Sequence, residues 1–170
     1  MKRRSIFLTI CLFAGMAVLS AQTTTYILLR HAEKDTSKAG AAMMTADPPL
    51  SEAGSLRAQK LVDVLKAYTP DKIYSTNYTR TKSTVTPLAK KFGKEIELYD
   101  PGKLTAFAKL LLSEKGKTIV VAGHSNTTPA LANLLIGENK YPNLDESIYN
   151  QLWIIQFTNG KLTQNQIVTY

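Results

Sequence analysis

Apolar residues along this chain alternate between short continuous runs and helical spacing. Thr25 to Leu29 is an apolar, β-rich run and reads as a buried strand. Residues 32–50 are small and polar with two prolines, the composition of a long loop. Ser51 then offers a cap to a helix in which Ala58, Leu61, Val62 and Leu65 repeat at i, i+3, i+4 and i+7. Lys72 to Thr76 predicts a second short strand. Val85, Leu88, Ala89 and Phe92 share one face of a second helix that stops at Gly93, and Pro87 inside it predicts a kink or a delayed start.

The same alternation continues to the C-terminal end. Glu95 to Tyr99 is a further strand candidate. Leu104, Phe107, Ala108 and Leu111 mark a third helix ending near Gly116. Thr118 to Ala122 is wholly apolar after its first residue, as buried parallel strands are. Thr128 is placed to cap a fourth helix, with Pro129 in its first turn and Gly137 at its end. Leu152–Phe157 and Leu162–Val168 flank Asn159-Gly160, a strong signal for a tight hairpin. The order β-α-β-α-β-α-β-α-β-β predicts one α/β domain, a three-layer αβα sandwich around a mostly parallel sheet with an antiparallel end.

The first 21 residues do not fit that alternation. Lys2, Arg3 and Arg4 precede an uncharged run from Ile6 to Ala21, closed by small residues. This is the pattern of a secretory signal peptide, short for an ordinary membrane span of ~20 apolar residues, with an uncleaved N-terminal anchor as the competing reading. The expected division is therefore a leader over 1–21 and a domain over 22–170, exported to the periplasm or the medium and free of the membrane once cleaved. Cys11 is the sole cysteine and lies within the leader, so the remaining chain holds no disulfide, zinc–thiolate site or thiol nucleophile. Losing the leader removes three of 21 basic residues and none of the 13 acidic ones, so the formal charge falls from +8 to +5. The remaining lysines are scattered along the helices, which predicts a solvated surface rather than a nucleic-acid interface.

Candidate chemistry concentrates at two strand ends. The chain has two histidines. His31 follows the first strand and His124 follows the apolar strand at 118–122, and in open α/β sheets ligands bind beyond the carboxyl ends of the strands. Arg30 adjoins His31, and Arg80 lies four residues past Thr76, leaving the same edge. Arginine forks match phosphate oxygens, and histidine serves as nucleophile or acid–base. A helix N-terminus just after His124 also favours an anion. The four side chains together predict a site for a phosphate group.

Four segments carry a resemblance. Leu28-Leu29-Arg30-His31-Ala32-Glu33 resembles the Arg-His-Gly signature of the histidine phosphatase superfamily, which includes the phosphoglycerate mutases, with Ala32 in place of the usual glycine. Pro49-Leu50-Ser51-Glu52-Ala53-Gly54 resembles the family's Pro-Leu-Thr-x-x-Gly segment. Tyr74-Ser75-Thr76 through Arg80 and Thr81 resembles its Ser-Ser-x-x-x-Arg segment, and Gly123-His124-Ser125-Asn126-Thr127 its second-histidine segment. They occur in family order over residues 26 to about 157.

The resemblance implies the histidine phosphatase fold and a metal-independent phosphatase without a cofactor, acting on a small phosphorylated substrate. His31 would attack phosphorus and become phosphohistidine, while Arg30, Arg80 and His124 hold the phosphoryl oxygens and the Ser125 backbone N–H adds a donor. Asp100, at the end of the third-strand region, is the first candidate for proton donor; a turn aspartate before Pro101-Gly102 is the competing reading. Glu33 and Asp47 are the alternatives. The loop 32–50 and the stretch 138–150, with Tyr141, Asn143, Asp145 and Tyr149, are expected to frame an open, shallow entrance of little selectivity.

Other classes fit less well. Gly123-His124-Ser125 imitates a serine-hydrolase elbow, but no histidine follows Ser125 to serve as base. Gly116-Lys117-Thr118 imitates the end of a P-loop, but Leu111 stands where its first glycine belongs and a strand follows. A phosphohistidine-type protein phosphatase and a catalytically silent phosphate-binding domain remain as alternatives to a phosphomonoesterase. A mutase is disfavoured by the absence of long insertions.

Overall fold

The computed structural model describes residues 21–37 and 47–170. The expected leader up to residue 20, with Cys11, and the middle of the long loop lie outside the described residues. No described helix is long and apolar enough to cross a membrane.

Six strands form one sheet. They are β1 (Thr23–Arg30), β2 (Lys72–Ser75), β3 (Ile96–Leu98), β4 (Thr118–Gly123), β5 (Gln151–Thr158) and β6 (Lys161–Thr169), in the spatial order β3-β2-β4-β1-β5-β6. The first four are mutually parallel where they pair, and β5 and β6 run antiparallel at one end. Helices α1 (Glu52–Val64) and α2 (Thr79–Phe92) cover one face. Helices α3 (Leu104–Ser113) and α4 (Thr127–Ile136) cover the other. The architecture is the αβα sandwich that the alternation of patterns predicts.

Period-two alternation in the central strands splits their side chains between two cores. Tyr26, Leu28, Ile119, Val121, Trp153 and Ile155 face α3 and α4. Ile27, Leu29, Val120, Ala122, Leu152 and Ile154 face α1 and α2. Both β1 and β4 are buried nearly end to end, which gives a rigid centre from whose carboxyl ends the site side chains project.

Several local expectations are corrected. Pro87 does not delay α2, which begins at Thr79 and contains the proline. The cap of α4 is Asn126, whose side chain accepts from the Thr127 N–H at 2.9 Å. Thr128 is buried and donates its hydroxyl to the Leu29 carbonyl at 3.2 Å, tying α4 to β1 instead. Helix α3 ends at Ser113 rather than near Gly116, and the third strand is trimmed to Ile96–Leu98 at the sheet edge. The Asn159-Gly160 turn forms as expected, with both residues at positive φ.

Candidate active site

The two histidines meet because their strands are neighbours in register. Arg30 of β1 pairs with Gly123 of β4, and the His31 N–H extends the ladder to the Gly123 carbonyl at 2.9 Å. The next residue on each strand is a histidine, and the rings stand 5.5 Å apart, edge to face at 69°. Gly123 is required here by close approach: a Cβ would sit 2.8 Å from both the Thr128 hydroxyl and the Tyr99 hydroxyl.

His31 is 4% exposed. Its Nδ1 lies 2.7 Å from the Ala32 carbonyl, an acceptor, so this nitrogen carries the proton and Nε2 keeps its lone pair. Burial, helped by the charges of Arg80, Arg30 and His124, lowers its pKa to about 4 against the opposing pull of the Ala32 carbonyl. The ring is therefore neutral at pH 7. Ala32 itself is buried, with its N–H donating to Thr84 at 2.9 Å. Its backbone is outside the left-handed region, so alanine meets no conformational penalty where the family pattern has glycine.

His124 is treated similarly. Burial and then the charges of Arg80 and Arg30 bring its pKa to about 4. Its Nε2 lies 3.0 Å from the Thr76 hydroxyl, which is 2.9 Å from the Thr81 hydroxyl, so a buried threonine relay fixes the ring. Tyr78 packs edge-on against it at 5.0 Å.

Each arginine is held by an aromatic face and by oxygen acceptors. Arg30 is 1% exposed and lies 4.0 Å from the centre of the Tyr149 ring. Its Nη1 donates to the carbonyls of Asp145, Glu146 and Ile148 at 3.0–3.1 Å, and Nη2 donates to Glu146 Oε2 at 2.7 Å. Arg80, at the start of α2, lies 4.5 Å from the Tyr78 ring. Asp47 stands 3.5 Å from its Nη1 and accepts from the Thr79 N–H and hydroxyl at 2.7–2.9 Å. The α2 N-cap residue, Tyr78, supplies no side-chain cap, so Asp47 caps the helix from the loop and holds Arg80 together.

The Nε–H groups of Arg30 and Arg80 are buried with no partner among the described residues. An orphaned buried donor costs ~1–3 kcal/mol, more on a charged group. Two such cationic donors lie beside two neutral imidazoles, a donor set whose chemistry suits an oxyanion.

The cavity in front of them measures about 480 Å³ and is lined by Arg30, His31, Arg80 and His124, with Ser125, Tyr78, Lys34 and Glu146 at its walls. Thus the structure brings to one cavity the four side chains that the sequence singles out, Arg30, His31, Arg80 and His124, together with Ser125. Asp100 is not among the lining residues. Its carboxylate accepts from the Gly102 N–H at 2.8 Å and pairs with Lys103 at 3.7 Å, the turn role. Glu33 is held in a bidentate pair by Arg57 at 2.7–3.0 Å, and Asp47 is committed to the α2 cap. Of the expected entrance residues, Tyr141 is turned into the fold, packing on Trp153 and donating to Asn165 at 2.7 Å. Tyr149 does reach the site. Glu146 and Tyr78 line the cavity without a signal in the sequence: an acidic residue in a polar loop reads as a solvated one, and the Glu146 partners Arg30 and Ser125 are remote along the chain.

The model of the histidine phosphatase superfamily (branch 1) matches residues 26–101, a span that includes Arg30, His31 and Arg80. No curated protein sequence matches the chain. Among solved structures, a SixA protein histidine phosphatase complexed with tungstate superposes with a TM-score of 0.66 at 16% identity, covering 85% of this chain and 96% of its own. A candidate phosphohistidine phosphatase SixA from Agrobacterium tumefaciens gives 0.62 at 22%, covering 84% and 97%. A mycobacterial glucosyl-3-phosphoglycerate phosphatase gives 0.63 at 13%, covering 87% and 98%. At such identities these likenesses carry the fold, and the matched family model carries the sequence signature. Over residues 26–101 the chain resembles the histidine phosphatase superfamily (branch 1), and its fold is that of these solved structures.

Proposed function

We propose that this chain is a metal-independent phosphomonoesterase that works through a phosphohistidine on His31. The match to the superfamily model over residues 26–101 supports phosphatase activity in general. The observation that supports this particular chemistry is the pairing of a neutral His31, its Nδ1–H fixed on the Ala32 carbonyl, with the unpartnered Nε–H groups of Arg30 and Arg80.

In this reading the phosphoryl oxygens take the guanidinium donors of Arg30 and Arg80, with His124 and the Ser125 backbone adding to the cradle. His31 Nε2 attacks phosphorus as the P–O bond to the leaving group breaks. The imidazolium that forms is stabilised through Nδ1–H by the Ala32 carbonyl, a preorganised acceptor that needs no rearrangement. Water then displaces the imidazole from phosphorus and restores the neutral ring. The two arginines supply the positive charge that phosphoryl transfer requires, where catalysis is mostly positioning and charge stabilisation.

The test is hydrolysis of p-nitrophenyl phosphate by the purified chain in EDTA, beside His31→Ala. Turnover that disappears in the variant is expected. Equal turnover in both, or turnover abolished by EDTA, would overturn the reading. Release of phosphate from a phosphohistidine peptide but from no ester would move the substrate to the protein-phosphatase alternative.

A further inference from the structure

Glu146 is the sole carboxylic acid among the described residues lining the cavity. Its side chain is 70% exposed while its partner Arg30 is 1% exposed, so it stands at the mouth, between the buried cradle and the solvent from which a leaving group enters. One carboxylate oxygen accepts from Arg30 Nη2 and the other from the Ser125 hydroxyl, both at 2.7 Å.

The way Arg30 is divided matters. A guanidinium offers Nε–H and one Nη2–H as a fork along one edge. Here the Nη1 nitrogen, at the far end, is taken by three backbone carbonyls of the 145–148 loop. That main-chain anchor holds the loop without help from the Glu146 carboxylate. The carboxylate instead sits on the Nη2 end of the edge whose Nε–H has no partner. A phosphate engaging that edge therefore arrives beside Glu146 and competes with it for one N–H. The Ser125 hydroxyl keeps the other carboxylate oxygen oriented.

Resting on the phosphomonoesterase reading above, we infer that Glu146 is the proton carrier of the reaction, donating to the leaving oxygen and then activating the water. In the free protein the Ser125 hydroxyl, first, and Arg30 keep this carboxylate below its ordinary pKa, against a desolvation effect. A bound phosphate takes up the Arg30 charge and puts negative charge next to the carboxylate, which favours its protonated form. The proton comes with the substrate monoanion. As the His31 Nε2–P bond forms and the P–O bond breaks, the electron pair goes to the leaving oxygen, which takes the Glu146 proton and departs as the alcohol. Glu146, now ionised, takes a proton from water as the new O–P bond forms and the P–N pair returns to Nε2. Phosphate leaves and Glu146 is again protonated, available to the next cycle or to solvent.

The experiment compares single-turnover phosphorylation of the parent and Glu146→Gln by two esters. An alkyl phosphate such as glycerol 2-phosphate has a poor leaving group and depends on a donated proton; p-nitrophenyl phosphate does not. General acid catalysis is worth ~10²–10⁴-fold. The expected result is a loss of at least about a hundredfold on the alkyl ester and less than about tenfold on the aryl ester, with inhibition by inorganic phosphate retained. An equal loss on both esters would mean that Glu146 only positions Arg30, and no loss on either would mean that it takes no part. Either outcome overturns the inference. Failure of the underlying phosphohistidine reading shows separately, as activity that survives His31→Ala.

Discussion

Replacing His31 with asparagine removes a titrating ring while keeping an N–H donor near the position of Nδ1, opposite the Ala32 carbonyl. Burial and the neighbouring cations lower the His31 pKa from 6.5 to about 4 in the folded protein, whereas the unfolded chain keeps the ordinary value. Between those two pH values the unfolded state binds the proton and the folded state resists it. The contribution of His31 is therefore fully present above pH 6.5 and is lost as pH falls toward 4. Linkage at ~1.4 kcal/mol per pH unit gives a loss of about 2 kcal/mol at pH 5 and about 3 kcal/mol at pH 4. Urea unfolding at pH 7, 5 and 4 measures it. Parent and His31→Asn should have similar stability at pH 7 and diverge on acidification, the parent losing about 3 kcal/mol more by pH 4. Curves that stay parallel across this range would refute the claim that His31 is held neutral by its surroundings. Saturating inorganic phosphate should narrow the gap, because a bound anion offsets the Arg30 and Arg80 charges that disfavour the imidazolium.

Three further changes probe the scaffold of the site. Asp47→Ala removes the external cap of α2 and the acceptor beside Arg80; it should lower stability by ~1 kcal/mol in urea unfolding and weaken inhibition by inorganic phosphate. Gly54→Ala would place a Cβ 2.2 Å from the Glu33 carbonyl oxygen, a backbone atom that cannot swing aside. The forced shift between α1 and the segment following His31 should cost ~1–3 kcal/mol, read as a lower Tm. Thr76→Val keeps the shape but deletes the hydroxyl that meets His124 Nε2; kcat/KM should fall roughly tenfold, the scale of one hydrogen bond of ~1–1.5 kcal/mol, with the nucleophile still phosphorylated.

What the sequence disclosed follows from what is local. Apolar runs at 25–29 and 118–122 predict strands, and a histidine just past each is enough to place both rings on one sheet edge. The structure adds that β1 and β4 are adjacent with Arg30 opposite Gly123, which no single segment encodes. Asp100 shows the opposite case. Its position at a strand end makes it a candidate proton donor and the following Pro101-Gly102 a candidate turn residue; its carboxylate accepts from the Gly102 N–H, the turn role. Thr128 looked like a cap, but burial against Leu29 claimed its hydroxyl and Asn126 took the cap. Glu146 was illegible because its meaning lies in Arg30 and Ser125, which fold far from it along the chain. Tyr78 was hidden for the same reason, since an aromatic residue after a strand announces nothing until His124 and Arg80 lie against it.

The most direct test of the central claim is to trap the phosphoenzyme. The purified chain is mixed with p-nitrophenyl phosphate in EDTA, quenched in alkali within one turnover, digested and read by mass spectrometry. The account predicts one added phosphoryl group, acid-labile and alkali-stable, on the peptide containing His31 and absent from His31→Asn. Hydrolysis that proceeds with no phosphopeptide, or with the group on His124 or a hydroxyl, would contradict it.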